Sequence, residues 1–195
     1  MYNRKDSYYL KAKKEGYKSR AAYKLLELNQ RYKFIRKGGT VLDLGAAPGG
    51  WSQVVLEFVG ADGFVAAVDQ EEIVGINAPN FIFIQGNIQE SAVADKLITL
   101  APEGYDLVIS DMAPKTTGIK IKDHTDSMAL AQIAAVMADK TLKKGGVFLV
   151  KLFDGEDRPA FVTGLGAKFK QVRAIRPDAT RKNSYETYIV ALGKL

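Results

Sequence analysis

Val41-Leu42-Asp43-Leu44-Gly45-Ala46-Ala47-Pro48-Gly49-Gly50-Trp51 is the stretch on which the fold turns. Val41 to Leu44 reads as a short strand, apolar except for Asp43. Six small or rigid residues follow, and Trp51 leads into a segment with helical spacing. Small residues let a backbone approach a ligand closely, and a helix start presents N–H groups with no partner inside the helix. A strand, a glycine-rich turn and a helix in that order form the first unit of an open α/β sheet.

Outward from this unit, apolar runs alternate with helical segments. Strands are predicted at 40–44, 64–68, 81–84, 105–110, 147–153, 170–175 and 185–192. Helices are predicted near 20–35, 52–60, 90–100, 123–142 and 158–168, with Ser19 as a cap for the first and Lys37-Gly38-Gly39 as its stop. The first five runs are short and β-branched-rich, as expected of strands buried on both faces. The last two follow each other without a helix and should pair antiparallel at one edge. The expected fold class is therefore α/β, a seven-stranded, mostly parallel sheet with an antiparallel edge strand. Residues 1–37 are expected to form a basic, helical N-terminal extension and 38–195 the α/β domain.

In such sheets ligands bind at the carboxyl ends of the strands. Asp43-Leu44-Gly45, Asp69, Asn87, Asp111 and Lys151 fall at or near the ends of the first five runs. Polar groups beside a core are costly unless paired, so their recurrence at one end marks a site. Gly45, Ala46, Pro48, Gly49, Gly50 and Trp51 form the candidate cofactor loop. Its spacing is not G-x-G-x-x-G, which disfavours a dinucleotide. Asp69 is placed to accept bonds from both hydroxyls of a ribose and Asn87 to read an adenine edge. A turn role for Asn87 and a packing role for Trp51 are the alternatives.

Composition narrows the chemistry. There is no cysteine and one histidine, His124, so disulfide scaffolds, thiol catalysis and histidine-rich metal centres are excluded. No metal site is expected. No apolar run reaches the roughly 20 residues of a membrane span. The N-terminal residues do not read as a signal peptide, so a cytoplasmic protein is expected. Residues 1–37 hold twelve Lys/Arg against three Asp/Glu, and six of the nine tyrosines: Tyr2, Tyr8, Tyr9, Tyr17, Tyr23 and Tyr32. Basic side chains neutralise phosphates and aromatic faces stack on unpaired bases, which points to a nucleic-acid partner. The alternative is a solubilising arm whose tyrosines pack on the body. A second basic cluster, Lys168, Lys170, Arg173, Arg176, Arg181 and Lys182, reads equally as a phosphate-contacting rim or as a solvated edge.

Ser19-Arg20-Ala21-Ala22-Tyr23-Lys24-Leu25, the loop through Ser52-Gln53, Ser110-Asp111-Met112-Ala113-Pro114, Val150-Lys151 and Ser184-Tyr185-Glu186-Thr187-Tyr188 together resemble the FtsJ family of RNA ribose 2′-O-methyltransferases. The resemblance runs from about Ser19 to the C-terminus and implies a Rossmann-like methyltransferase fold. It implies S-adenosylmethionine as cofactor and S-adenosylhomocysteine as product, with Asp111 joining the cofactor contacts. It also implies a Lys24-Asp111-Lys151-Glu186 tetrad with Lys151 as general base. The most similar branch acts on a uridine of large-subunit ribosomal RNA, so that RNA or the assembled large subunit is the expected partner of a monomeric enzyme. Transfer RNA as substrate, and a silent RNA-binding or assembly factor of the same fold, are the other readings. The loop from Lys115 to Lys122 is more basic than the bacterial pattern.

The chemistry explains the residue types. A ribose hydroxyl is a very weak acid, and a base must take its proton as the oxygen attacks. Lysine does this only when neutral. A second ammonium nearby and desolvation favour that state, while carboxylates oppose it but hold the ammonium groups and the ribose in place. Taken singly, each of the four is readable as an ordinary ion pair. Lys151 stands apart because it interrupts the apolar run 147–153.

Overall fold

A computed structural model describes residues 7–181 and 183–195; Tyr2 and Lys182 lie outside the described residues. The strands are β1 (Thr40–Leu44), β2 (Phe64–Asp69), β3 (Phe81–Gln85), β4 (Tyr105–Ser110), β5 (Leu142–Phe153), β6 (Phe169–Ile175) and β7 (Glu186–Lys194). They form one seven-stranded sheet in the order β3-β2-β1-β4-β5-β7-β6. Neighbours from β3 to β5 pair parallel. β7 is antiparallel to both β5 and β6, so the reversed strand lies one place in from the edge. The order turns between β1 and β4, and the crevice at that switch point is where an open sheet holds a ligand.

Helices cover both faces. The helices α4 (Ser91–Leu100), α5 (Lys120–Thr141) and α6 (Arg158–Gly166) bury Leu97, Met128 and Leu165 against Leu42, Val108, Phe148 and Ile189. On the other face α2 (Ala22–Tyr32) and α3 (Gly50–Val59) bury Leu25, Leu28, Trp51 and Val54 against Val41, Ile109, Leu149 and Val190. The boundary expected at residue 37 therefore falls inside a continuous core, because α2 covers the sheet beside α3. The arm itself contains α1 (Ser7–Glu15), which packs Ala12 with Tyr23 and Ala179.

Several expectations are corrected. Ser19 does not cap α2 with its side chain; Ala21 stands at the N-cap, and the turn closes through the Ser19 carbonyl, which accepts from Ala22 N–H. The helix stops at Tyr32, before the glycines, where Lys33 takes a left-handed conformation with φ 51°. β3 is not buried on both faces: it is the sheet edge, and Ile82 is exposed. β5 begins five residues before the predicted run, across Gly145 and Gly146, with a shift of register against β4. No helix among the described residues is long and apolar enough to cross a membrane.

Candidate active site

A cleft of about 340 Å³ opens at the carboxyl ends of β1 to β4, lined by Gly45, Asp69, Asn87, Asp111, Met112 and Leu130 among others. The loop after β1 is tied to β2. Gly45 and Ala46 donate to the Val68 carbonyl, and Ala47 N–H donates to Asp69 Oδ2 at 2.9 Å. Gly45 has φ +73°, and a Cβ there would sit 2.3 Å from Met112 Cγ, so the loop and the segment after β4 meet without room for a side chain. Asp69 Oδ1 accepts from Glu71 N–H. Asn87 turns its Oδ1 to Gln89 N–H, which leaves the amide N–H groups for the cleft.

Other loop residues serve packing. Gly49 has φ +109° and passes under Ile76, and Gly50 makes room for the Ser19 hydroxyl. Trp51 is 3% exposed; its Nε1 donates to the Ala21 carbonyl at 2.8 Å, and its ring packs on Tyr188. Gly45, Ala47, Asp69, Asn87 and Asp111 line the cleft, with the rest of the loop beside it. Below the loop, Asp43 is fully buried. Ser52 Oγ donates to its Oδ2 at 2.7 Å, and among the described residues Oδ1 has no partner. Burial, with Asp111 and Asp69 nearby, pushes this carboxyl up to about 7 despite the Ser52 bond.

Beside the cleft the four tetrad residues meet. Lys24 comes from α2, Asp111 from the end of β4, Lys151 from β5 and Glu186 from the start of β7. Lys24 Nζ lies 2.5 Å from Glu186 Oε2 and donates to the Tyr188 hydroxyl at 3.2 Å. That hydroxyl donates to Asp111 Oδ1 at 2.8 Å. Lys151 Nζ lies 3.0 Å from the same oxygen and also donates to the Asp111 carbonyl at 2.5 Å. Burial pushes the Asp111 carboxyl upward, but Lys151 and Lys24, with bonds from Lys151 and Tyr188, outweigh it and hold the group below the usual carboxylate range. Tyr188 is held well above its ordinary value, chiefly by burial and then by Asp111 and Glu186, so it stays a donor.

Tyr188 is the member that sequence reasoning missed. It sits two residues after Glu186 in a strand, hence on the same face, and that spacing was the available signal. The arm's tyrosines fall largely to the packing alternative. Tyr17 donates to Glu57, Tyr23 donates to Glu15, and Tyr8 and Tyr17 both rest on the Tyr23 ring. In the second basic cluster Lys168 pairs with Asp139, and Arg176 donates to the Ser184 carbonyl. Lys170 and Arg173 face solvent on β6. His124 is buried on α5, with Nδ1 2.9 Å from the Phe153 carbonyl and Nε2 3.1 Å from Asp157, so it ties α5 to the loop after β5.

An open α/β sheet with this loop, this cleft and a lysine-carboxylate cluster at the same rim defines a Rossmann-like methyltransferase. The chain belongs to the FtsJ-like methyltransferase family, whose family model matches residues 17–194. It is 46% identical over 187 residues to a ribosomal RNA large subunit methyltransferase E of Methanothermobacter thermautotrophicus, an alignment that covers 96% of this chain and 89% of that protein. Its namesake from Coxiella burnetii is 46% identical over 192 residues, covering 96% and 90%. A solved structure from Plasmodium falciparum, named as a ribosomal RNA methyltransferase, superposes with a TM-score of 0.81 at 32% identity over 92% of this chain and 99% of its own.

Proposed function

We propose that the protein methylates a ribose 2′-hydroxyl, most specifically that of a uridine in large-subunit ribosomal RNA, using S-adenosylmethionine, with Lys151 as general base. The observation that carries this is the buried relay Glu186–Lys24–Tyr188–Asp111–Lys151 at the edge of the cleft. The cleft fits the cofactor by its donor set. Asp69 offers carboxylate oxygens at the end of β2, Asn87 an amide beyond β3, and Met112 and Leu130 apolar surface between them. The bound sulfonium supplies an already activated methyl group.

The chain's own residues do the rest. Asp111 and Glu186 hold the two ammonium groups, and Tyr188 fixes the distance between the pairs. Lys151 is 5% exposed, and Lys24 is 7% exposed. Both are therefore held in place largely away from bulk water. Once neutral, Lys151 accepts the hydroxyl proton while the fixed polar groups orient the ribose, so no solvent reorganisation is needed. Exposed Lys13 and Lys14 on α1, with Lys170 and Arg173, supply phosphate contacts that position the RNA. We further propose that the enzyme acts as a monomer and in the cytoplasm.

The test is incubation with labelled S-adenosylmethionine and separated RNA fractions: transfer RNA, free ribosomal RNA and large subunits lacking the modification. The nucleoside is then mapped. Label at one uridine 2′-oxygen of large-subunit RNA is the expected result. Label in transfer RNA alone redirects the substrate, and RNA binding without label in any fraction identifies a silent factor.

A further inference from the structure

The relay leaves one large exposed aromatic, next to it in sequence, unassigned. Tyr185 is 52% exposed and directly precedes Glu186, the residue that holds Lys24. Its backbone is fixed, because its carbonyl accepts from Asp154 N–H at 2.8 Å, just beyond the end of β5. Its ring has one ordered neighbour: Lys120 Nζ, at the first residue of α5, lies 4.8 Å from the ring centroid. Tyr185 therefore stands where the end of β5, the start of α5 and the start of β7 meet. Lys120 follows an exposed basic loop carrying Lys115 and Ile119.

We infer that Tyr185 is a stacking platform for a nucleobase of the RNA segment that carries the target ribose, with Lys120 as the phosphate contact beside it. The inference rests on the RNA reading given above and adds a residue to it. A ribose seated at Asp111 and Lys151 must direct its base away from the packed relay and toward the rim. Base stacking needs an aromatic face that is open on one side and rigidly held. Tyr8, Tyr17 and Tyr23 on the arm do not offer this, since their rings are packed against one another. Tyr185 does, and its ammonium neighbour both orients the ring and attracts the backbone of the strand stacked on it.

The experiment compares Tyr185→Ala, Tyr185→Phe and Tyr185→Trp with the parent. It uses large-subunit RNA and intact large subunits lacking the modification, and measures both RNA affinity and single-turnover methylation. For Tyr185→Ala, RNA affinity and kcat/KM for RNA should fall roughly 5- to 150-fold, the range that loss of one base–aromatic stack produces. S-adenosylmethionine affinity and thermal midpoint should stay at parent values. Tyr185→Phe and Tyr185→Trp should restore RNA affinity to within about threefold, which a merely structural role of the hydroxyl would not allow. The inference is overturned if Tyr185→Ala binds RNA within twofold of parent, or if Tyr185→Phe loses as much as Tyr185→Ala. Because affinity is read directly, these outcomes hold even if the parent methylates none of the RNAs, a result that would instead sink the proposed reaction.

Discussion

Asp43 offers a test of the site's electrostatics that requires no substrate. The carboxyl is fully buried, Ser52 satisfies one oxygen and the other has no partner among the described residues, and burial raises it from 3.8 to about 7. A group raised in the folded state contributes its stability fully below the unfolded value and loses it as pH rises through the folded one. The gap from 3.8 to about 7, at about 1.4 kcal/mol per pKa unit, is on the order of 4 kcal/mol. About 2.5 kcal/mol of that should be lost between pH 5 and 8. Asp43→Asn keeps the acceptor for Ser52 and removes the titration. Urea unfolding of parent and variant, followed by Trp51, the sole tryptophan, reads the difference without interference from groups common to both. The variant's stability relative to the parent should climb by about 2–3 kcal/mol from pH 5 to 8 and level off above. If the two stabilities run parallel across that range, Asp43 is already ionised in the folded protein, and the account of its buried, half-satisfied carboxyl fails.

Three further outcomes follow from the geometry. Lys151→Arg keeps a cation beside Asp111 but cannot accept a proton near neutrality, so single-turnover methylation should drop about 10²- to 10⁴-fold with cofactor binding retained; a near-parent rate would remove Lys151 as base. Gly45→Ala forces a side chain into a φ of +73° and against Met112, so calorimetry should show S-adenosylmethionine affinity lost by tenfold or more, and unchanged affinity would mean that the loop is not the cofactor cradle. Tyr188→Phe removes the hydroxyl between Lys24 and Asp111, so chemical unfolding should show a loss of about 1.5–3 kcal/mol and kinetics a lower kcat with unchanged cofactor affinity.

Much of the architecture was legible because buried parallel strands leave short apolar runs, and six of the seven predicted starts lie within a residue of those observed. β5 was the exception: Lys143-Lys144-Gly145-Gly146 interrupts the apolar pattern, and the pairing with β4 shifts register there while the strand continues. The basic arm hid α1, whose helix is held by tertiary contacts of Ala12 and Tyr23 and not by an apolar stripe of its own. Exposure of β3 was invisible because its residues are as apolar as those of an inner strand; only the strand order makes it an edge. At the site, Asp69, Asn87 and Asp111 were found from their place at strand ends, while Lys24 and Glu186 needed the family resemblance. Trp51 and Gly50, expected at the cofactor from their place in its loop, also contact Ala21, Tyr188 and Ser19, which the sequence did not reveal. Neighbourhood in sequence did not separate the two faces of that loop.

The Lys24–Glu186 pair joins residues 162 positions apart, and the strand that carries Glu186 is inserted between β5 and β6. A chain made from its N-terminus exposes the apolar side of α2 long before Tyr188 and Val190, its partners on β7, have been synthesised. During translation, then, Lys24 waits for its carboxylate until nearly the whole chain has been made. The relay is complete only once β7 has paired with β5 and brought Glu186 and Tyr188 to Lys24. A C-terminally clipped molecule that lost β7 would therefore lack Glu186 and Tyr188 from the relay, along with the strand that joins β6 to the sheet.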